Sequence, residues 1–170
     1  MKFVIAICGR GQAGKSTTSK MISELTGFKY MQSTSQALAE TIFEKSKSGC
    51  FGRSFENVQE CWEYRSEHRV MWAQLIAEYN KPHGTTLYED MLQTNDIMDG
   101  IRRINELQAC RKRNIIDFAI WVEREIAPPD ASLNYGPEAC DIIINNNGTL
   151  NDLHEIINIV CMGLITTRVL

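Results

Sequence analysis

The sequence lacks the features of a membrane protein and of a fold held by disulfides or zinc. Its longest apolar runs, Phe3 to Cys8 and Phe118 to Val122, are far shorter than the roughly 20 residues of a membrane helix. The first run is also too short for a secretory signal. Six cysteines are present without a Cys-x-x-Cys pair, and the three histidines are scattered, which argues against structural zinc. We therefore expect reduced thiols in a cytoplasmic protein.

The chain also has no large excess of charge of either sign. Eighteen Lys and Arg against twenty-one Asp and Glu leave a net charge of −3. This balance argues against a protein that coats nucleic acid, although a local basic cleft remains compatible with it. The length of 170 residues and the hydrophobic content of 44% predict one globular domain.

Strand-like and helix-like segments alternate along the chain, which predicts an α/β fold with a parallel sheet. The segment 123–139 contains three prolines and is predicted to be a loop. Strands are predicted for 2–8, 28–32, 96–98, 114–122 and 141–145. Helices are predicted for 15–26, 37–47, 56–80, 87–93, 101–112 and 149–162.

The most specific motif is a glycine-rich segment directly after the first predicted strand. Residues 9–16 (GRGQAGKS) match G-x-x-x-x-G-K-[ST] in full, and a predicted helix follows. The glycines of this pattern let backbone N–H groups turn inward around phosphate oxygens, at the positive end of the helix. Lys15 is expected to contact the β- and γ-phosphates of ATP, and Ser16 to bind Mg²⁺. The predicted ATP-binding residues are Gly9, Arg10, Gly11, Gln12, Ala13, Gly14, Lys15, Ser16 and Thr17.

This phosphate loop alone does not decide between a GTPase, a helicase-type ATPase and a small-molecule kinase. The guanine-specificity motif Asn-Lys-x-Asp is absent, since residues 80–83 are NKPH. The chain is also short for a motor core with its additional motifs. A small phosphoryl-transfer enzyme fits the length best.

Two arginines, Arg65 and Arg69, are predicted to lie on the apolar side of the 56–80 helix. An unpaired buried charge is very costly, so both need anionic partners. The partners are either carboxylates of the sheet or a substrate phosphate in a cleft, which suits the planar guanidinium. We favour the phosphate. The apolar stripe consists of Val58, Cys61, Trp62, Trp72, Leu75, Ile76 and Tyr79.

Asp99, Arg102 and Arg124 lie at or just beyond the ends of predicted strands. Ligands of open parallel sheets bind at this carboxyl edge. Asp99 either holds Mg²⁺ through water or caps the helix predicted from residue 101. An arginine at this edge is suited to neutralise a phosphoryl group during transfer.

Together these motifs resemble the P-loop nucleoside monophosphate kinases, and within them the deoxynucleoside monophosphate kinases of bacteriophages. The resemblance covers nearly the whole chain. Besides the phosphate loop, it rests on residues 63–72 (EYRSEHRVMW), 99–102 (DGIR), 121–124 (WVER) and 139–150 (ACDIIINNNGTL).

The resemblance implies a three-layer, parallel-sheet P-loop NTPase fold in a single domain over residues 1–170. It also implies a helical lobe for the monophosphate at about 33–84 and a short lid at about 123–139. The implied reaction transfers the γ-phosphoryl group of ATP, with Mg²⁺, to a deoxynucleoside monophosphate of the dTMP, dGMP or dCMP type. The implied partners are small nucleotides rather than nucleic acid or membrane, for a monomer or homodimer in the cytoplasm of a phage host.

The resemblance also assigns roles to single residues. The catalytic residues would be Lys15, Arg102 and Arg124, and Mg²⁺ would be bound by Ser16 and Asp99. The acceptor would be bound by Arg65 and Arg69, with Arg53 and Tyr30 as further candidates.

Two departures from the family pattern and two rival functions remain. The predicted lid carries one arginine, Arg124, where many adenylate kinases carry several. Asp99 stands three residues before Arg102, where some relatives have an Asp two before the Arg. One rival is a P-loop kinase for another small acceptor, such as dephospho-coenzyme A or a sugar. The other is a non-catalytic ATP-binding module. The sequence leaves the accepted base open.

Overall fold

A sheet of four parallel strands carries the fold, in a computed structural model that describes residues 3–30, 33–49, 52–81 and 83–169. The strands lie in the order β2-β1-β3-β4, and each pair of neighbours is parallel. All carboxyl ends therefore lie at one edge of the sheet. The strands are β1 (Ile5–Cys8), β2 (Ile97–Asp99), β3 (Phe118–Glu123) and β4 (Ile142–Asn145).

α-Helices lie between β1 and β2, between β2 and β3 and after β4, whereas a loop with a 3₁₀ turn at Pro137–Ala139 joins β3 to β4. Within the described part of the chain, every helix is too short or too polar to cross a lipid bilayer. The helices are α1 (Lys15–Thr26), α2 (Thr34–Ala37), α3 (Ala39–Ser46), α4 (Val58–Tyr64), α5 (Arg69–Tyr79), α6 (Thr86–Leu92), α7 (Ile104–Lys112) and α8 (Leu150–Val169).

Helices cover both faces of the sheet, and each face belongs to a separate apolar cluster. Ile5 and Ile7 of β1 pack in the cluster that includes residues of α1 and α8. Ala6 and Cys8 of the same strand pack in the cluster with residues of α3, α5, α6 and α7. A strand covered on both faces is apolar at successive positions rather than at alternate ones, which explains the apolar run that begins the chain. The predicted α/β class and parallel sheet are confirmed.

Several predicted elements are present with the same or slightly shifted ends. The helix predicted for 15–26 is α1 without change, and Gly27 ends it in the left-handed conformation (φ +73°). The described part of the predicted strand 28–32 forms only a single bridge, between Tyr30 and Ile97. Residues 2, 31 and 32 of the predicted strands lie outside the described residues. The last helix is longer than predicted and ends at Val169.

The single helix predicted for 56–80 is wrong, because the chain turns between α4 and α5. The N–H groups of Glu67 and His68 donate to carbonyls three residues earlier, not four. Side chains also compete for the helical carbonyls: the Ser66 hydroxyl donates to the Glu63 carbonyl (3.3 Å), and the Arg65 guanidinium to that of Trp62 (3.0 Å). Arg65 therefore follows the end of α4, and Arg69 begins α5.

Two further predicted boundaries are wrong, and one decides the role of Asp99. Helix α7 begins at Ile104 with Arg103 as its N-cap, so Asp99 does not cap it. Asp99 is instead the last residue of β2, at the carboxyl edge. The strand predicted for 114–122 begins only at Phe118, since Asn114 closes a turn after α7 with φ +54°.

Candidate phosphate-binding site

The glycine-rich loop forms the tight connection between β1 and α1. Gly9 (φ +134°), Gln12 (φ +65°) and Gly14 (φ +96°) all have left-handed backbone conformations. A Cβ atom at Gly9 would lie 2.6 Å from the carbonyl oxygen of Val122, so only glycine fits there. The first N–H groups of a helix have no acceptor within it, and those of α1 start directly after this loop. The loop therefore has the backbone that an anion site requires.

A cavity of about 440 Å³ opens above the loop at the carboxyl edge of the sheet. Four predicted arginines and Asp99 line it together with the loop, although they come from three separate stretches of the sequence, 65–69, 99–102 and 124. The remaining wall is apolar or hydroxyl-bearing, and includes Trp72, Ile76, Ser33 and Ser35. The predicted site residues that line the cavity are Gly11, Gln12, Gly14, Lys15, Ser16, Thr17, Arg65, Arg69, Asp99, Arg102 and Arg124.

Other predicted site residues lie outside the cavity lining. Gly9 and Ala13 are buried beneath it, and the carbonyl of Arg10 serves as an acceptor within the loop. Arg53 lies at the surface, where it pairs with Glu60 and stacks on the rings of Phe55 and Tyr64. The arrangement therefore gives Arg53 no contact with the site.

Lys15 is folded back onto the loop. Its Nζ donates to the carbonyl oxygen of Arg10 at 2.7 Å, and the residue is only 9% exposed. Burial and, second, the charge of Arg102 lower the pKa of Lys15 to about 8, against the opposing effect of Asp99. A phosphate bound in the loop would raise this pKa again and stabilise the charged form of Lys15.

Ser16 and Asp99 form a polar pair beneath the cavity. The Ser16 hydroxyl donates to Oδ2 of Asp99 at 3.3 Å, while Oδ1 is buried without a hydrogen-bond partner in the described residues. Burial raises the pKa of Asp99, although Lys15 opposes the shift. Tyr30 lies beside this pair, and burial and the Asp99 charge raise its pKa. A hydroxyl and an unsatisfied carboxylate oxygen are suitable partners for a hydrated Mg²⁺ that also binds nucleotide phosphates.

Arg65 has no carboxylate within ion-pair distance among the described residues. Its guanidinium stacks over the ring of Trp62, 3.8 Å from the centroid. Burial lowers the pKa of Arg65, and Arg69 and Arg102 lower it further. Of the two partners considered for this arginine, a carboxylate of the sheet is therefore not found, and the cation remains available to an anion in the cavity.

Asp130 is the most important site residue that the sequence analysis missed. Its Oδ2 accepts from the Gly11 N–H (3.0 Å) and from Arg102 (2.6 Å), and lies 3.7 Å from Arg69. Its Oδ1 accepts from the Ser132 hydroxyl at 2.5 Å. Burial disfavours the charged carboxylate, but Arg102 and these hydrogen bonds outweigh it and lower the pKa of Asp130. No motif marks this residue in the sequence, because it lies in an irregular loop.

Trp72 and Asn146 also belong to the site without having been assigned to it. Trp72 was attributed to the apolar stripe alone; it is buried, it lines the cavity, and its indole N–H has no partner in the described residues. The side chain of Asn146, after β4, donates to the Ala13 carbonyl at 2.8 Å and packs against Gly14. The sequence could have indicated Asn146 as a site residue, because it directly follows the last predicted strand and ligands bind at that edge of a parallel sheet.

No protein-family model matches the chain, and no curated protein matches it significantly. The cavity combines a glycine-rich loop at a helix N-terminus, a buried carboxylate–hydroxyl pair with the chemistry of a Mg²⁺ site, and several cations.

Proposed function

We propose that the protein is an ATP- and Mg²⁺-dependent nucleoside monophosphate kinase that acts on deoxynucleotides. The observation that carries the proposal is the meeting of two anion-binding groups in one cavity: the phosphate loop, and Arg65 with Arg69, whose guanidinium packs against Gly11 of the loop. A chain that only bound ATP would need the first site alone. The proposal includes a three-layer P-loop NTPase fold, for which the four-stranded parallel sheet is the required framework.

The donor triphosphate would bind in the loop. The backbone N–H groups of residues 11–16 and the α1 N-terminus would hold its β- and γ-phosphates, with Lys15 moving from the Arg10 carbonyl to the phosphate. Ser16 would ligate Mg²⁺ directly and Asp99 through water. A metal held by these two residues would supply positive charge that neutralises part of the charge of the phosphates.

The acceptor would bind beside the loop, at the wall formed by α5 and the turn before it. Arg65 and Arg69 are suited to a phosphate dianion because each offers a planar set of donors. Beyond them, Trp72 and Ile76 provide an apolar surface for a flat base, and the hydroxyls of Ser33 and Ser35 provide polar contacts. The site residues therefore separate into a phosphate-binding group and a base-binding group.

Transfer would be driven by positioning and electrostatics. An oxygen of the acceptor phosphate attacks the γ-phosphorus, and the bond to the β–γ bridging oxygen breaks to leave ADP. The acceptor needs no general base because its phosphate is already ionised at neutral pH. Arg102 and Arg124 lie where they can neutralise the transferring group. The loop 124–136 contributes Arg124 and Ser132 to the cavity wall, and its closure over the site would exclude water, which would otherwise hydrolyse ATP.

A coupled assay of ADP release tests the proposal. The protein is incubated with ATP and Mg²⁺ and with each ribo- or deoxynucleoside monophosphate in turn, or with none. We expect ADP release that depends on a deoxynucleoside monophosphate and that falls at least about 100-fold in Lys15→Ala. A near-native rate in a folded Lys15→Ala variant would refute the role of the loop.

The same assay separates the two rival functions. Turnover with dephospho-coenzyme A or a sugar, and none with nucleotides, would identify a kinase for another acceptor. ATP binding without turnover on any acceptor would identify a binding module. A cytoplasmic location and a monomeric or dimeric state belong to the proposal; the free thiols of Cys8, Cys110, Cys140 and Cys161 are consistent with a reducing compartment.

A further inference from the structure

The phosphate loop already holds an anion of its own chain. Oδ2 of Asp130 lies at the loop, accepting the N–H of Gly11 and a guanidinium N–H of Arg102, with Arg69 nearby. The Asp130 side chain is 2% exposed. These three donors are of the types that bind a phosphate oxygen: a loop amide and two guanidinium groups.

The carboxylate is held in this position from both sides. Oδ1 accepts from the hydroxyl and the N–H of Ser132 (2.5 and 3.2 Å), while Oδ2 faces the loop. The segment around Asp130 is irregular and is attached to the cavity wall by hydrogen bonds of Asn134 and Tyr135 to the carbonyls of Arg102 and Ile101. Asp130 therefore connects the phosphate loop to the 124–136 segment at the cavity wall.

We propose that Asp130 takes the place of a nucleotide phosphate when no nucleotide is bound, and that it is displaced when the triphosphate of the donor binds. The proposal rests on the proposed function, in that the loop is the triphosphate site. A phosphate oxygen and Oδ2 both need the N–H of Gly11 and the guanidinium of Arg102, and two anions cannot share one set of donors without strong repulsion. Without bound nucleotide, Asp130 keeps Arg69 and Arg102 beside the loop and compensates their charge.

Displacement has two consequences. The contacts of Asp130 with Gly11 and Arg102 must break before the triphosphate can bind the same groups. The Asp130 carboxylate therefore lowers the affinity for the donor. Release of Asp130 also frees the 124–136 segment from the loop. Binding of the triphosphate would thereby be coupled to a rearrangement of the 124–136 segment.

Binding measurements on the full chain, without any acceptor, test this. Titration calorimetry compares inorganic tripolyphosphate and ATP on the wild type and on Asp130→Asn, which keeps the shape and removes the charge. We expect both ligands to bind Asp130→Asn at least about tenfold more tightly. Unchanged or weaker binding to folded Asp130→Asn would overturn the proposal and leave Asp130 a structural ion-pair partner. Failure of the wild type and the variant to bind either ligand would overturn it as well.

Glu125→Gln is the matched control, because it removes one negative charge from an exposed position of the same segment. We expect its affinity for tripolyphosphate to change less than about twofold. A gain equal to that of Asp130→Asn would attribute the effect to net charge and overturn the proposal.

Ser132→Ala provides a second test that does not depend on the folding of Asp130→Asn. It removes one donor to Oδ1 and leaves the carboxylate in place, so we expect a smaller gain, about two- to fivefold. Unchanged or weaker binding of tripolyphosphate would contradict displacement. The binding measurements contain no acceptor, so a gain in affinity for tripolyphosphate would support displacement of Asp130 even if the kinase assay found no acceptor. Conversely, kinase activity without a gain in affinity would refute displacement and leave the proposed function intact.

Discussion

Lys15 is buried at a cost in stability, and the variant Lys15→Met measures that cost. Methionine retains most of the length and volume of lysine but carries no charge. The pKa of Lys15 falls from 10.5 to about 8 in the folded protein, which corresponds to about 3 kcal/mol of unfavourable free energy for the charged form. The wild type therefore carries this penalty at neutral pH, where Lys15 is protonated in both the folded and the unfolded state.

The penalty depends on pH in a defined direction. Below pH 8 it is present in full, because both states hold the proton. Between pH 8 and 10.5 the folded state releases the proton first, so the free energy of unfolding of the wild type rises relative to that of Lys15→Met. We expect Lys15→Met to be at least as stable as the wild type at pH 7, and this relative advantage to shrink by about 2–3 kcal/mol by pH 10.

Urea unfolding followed by tryptophan fluorescence measures the difference at both pH values, without nucleotide. Lys20→Met is the control, because Lys20 is an exposed lysine of the same helix, with 72% of its side chain accessible. We expect its stability to differ from the wild type by less than about 1 kcal/mol at either pH. A Lys15→Met variant that is several kcal/mol less stable than the wild type at pH 7, or a pH-independent difference, would refute the reasoning.

Three further predictions concern ligands. Because ATP binding needs the charged form of Lys15, we expect the affinity for ATP to fall about fivefold between pH 8 and pH 9, and protons to be taken up on binding. Calorimetry in two buffers of different ionisation enthalpy measures both effects, and an affinity that does not change with pH would contradict the prediction. Arg65→Ala should raise the KM for the monophosphate at least about tenfold and leave the KM for ATP nearly unchanged, and equal effects would indicate a structural role. The matched surface variant Arg113→Ala, which breaks a pair with Glu89, should change neither. Asp99→Asn should raise the Mg²⁺ concentration for half-maximal turnover about tenfold, and an unchanged Mg²⁺ titration would remove Asp99 from the metal site.

The parts of the site that follow one another in the chain could be predicted from sequence. A buried strand, a glycine-rich turn and a helix place Lys15 and Ser16 by local geometry alone, and α1 has the predicted ends. The ends of β2 and β3 place Asp99 and Arg124 at the edge because parallel strands share a direction. Periodicity and backbone chemistry are sufficient for such residues.

Residues placed by irregular backbone could not be predicted in this way. Arg65 and Arg69 line the cavity, but from either side of a turn and not from one helix face as expected. That turn depends on side chains that compete for backbone carbonyls, which periodicity does not register. Asp130 contacts Gly11 across 119 positions of sequence, and its loop has no repeating pattern that fixes its direction. Only the three-dimensional arrangement identifies such a partner.

The fate of the γ-phosphoryl group is the most direct test of the central claim. The protein is incubated with Mg²⁺, ATP labelled with ³²P at the γ-position and a deoxynucleoside monophosphate, and the products are separated by thin-layer chromatography. The account predicts label in the deoxynucleoside diphosphate, in an amount equal to the ADP formed, and none in the Lys15→Ala variant. Label that remains in ATP with every deoxynucleoside monophosphate, or that appears only as inorganic phosphate, would contradict it.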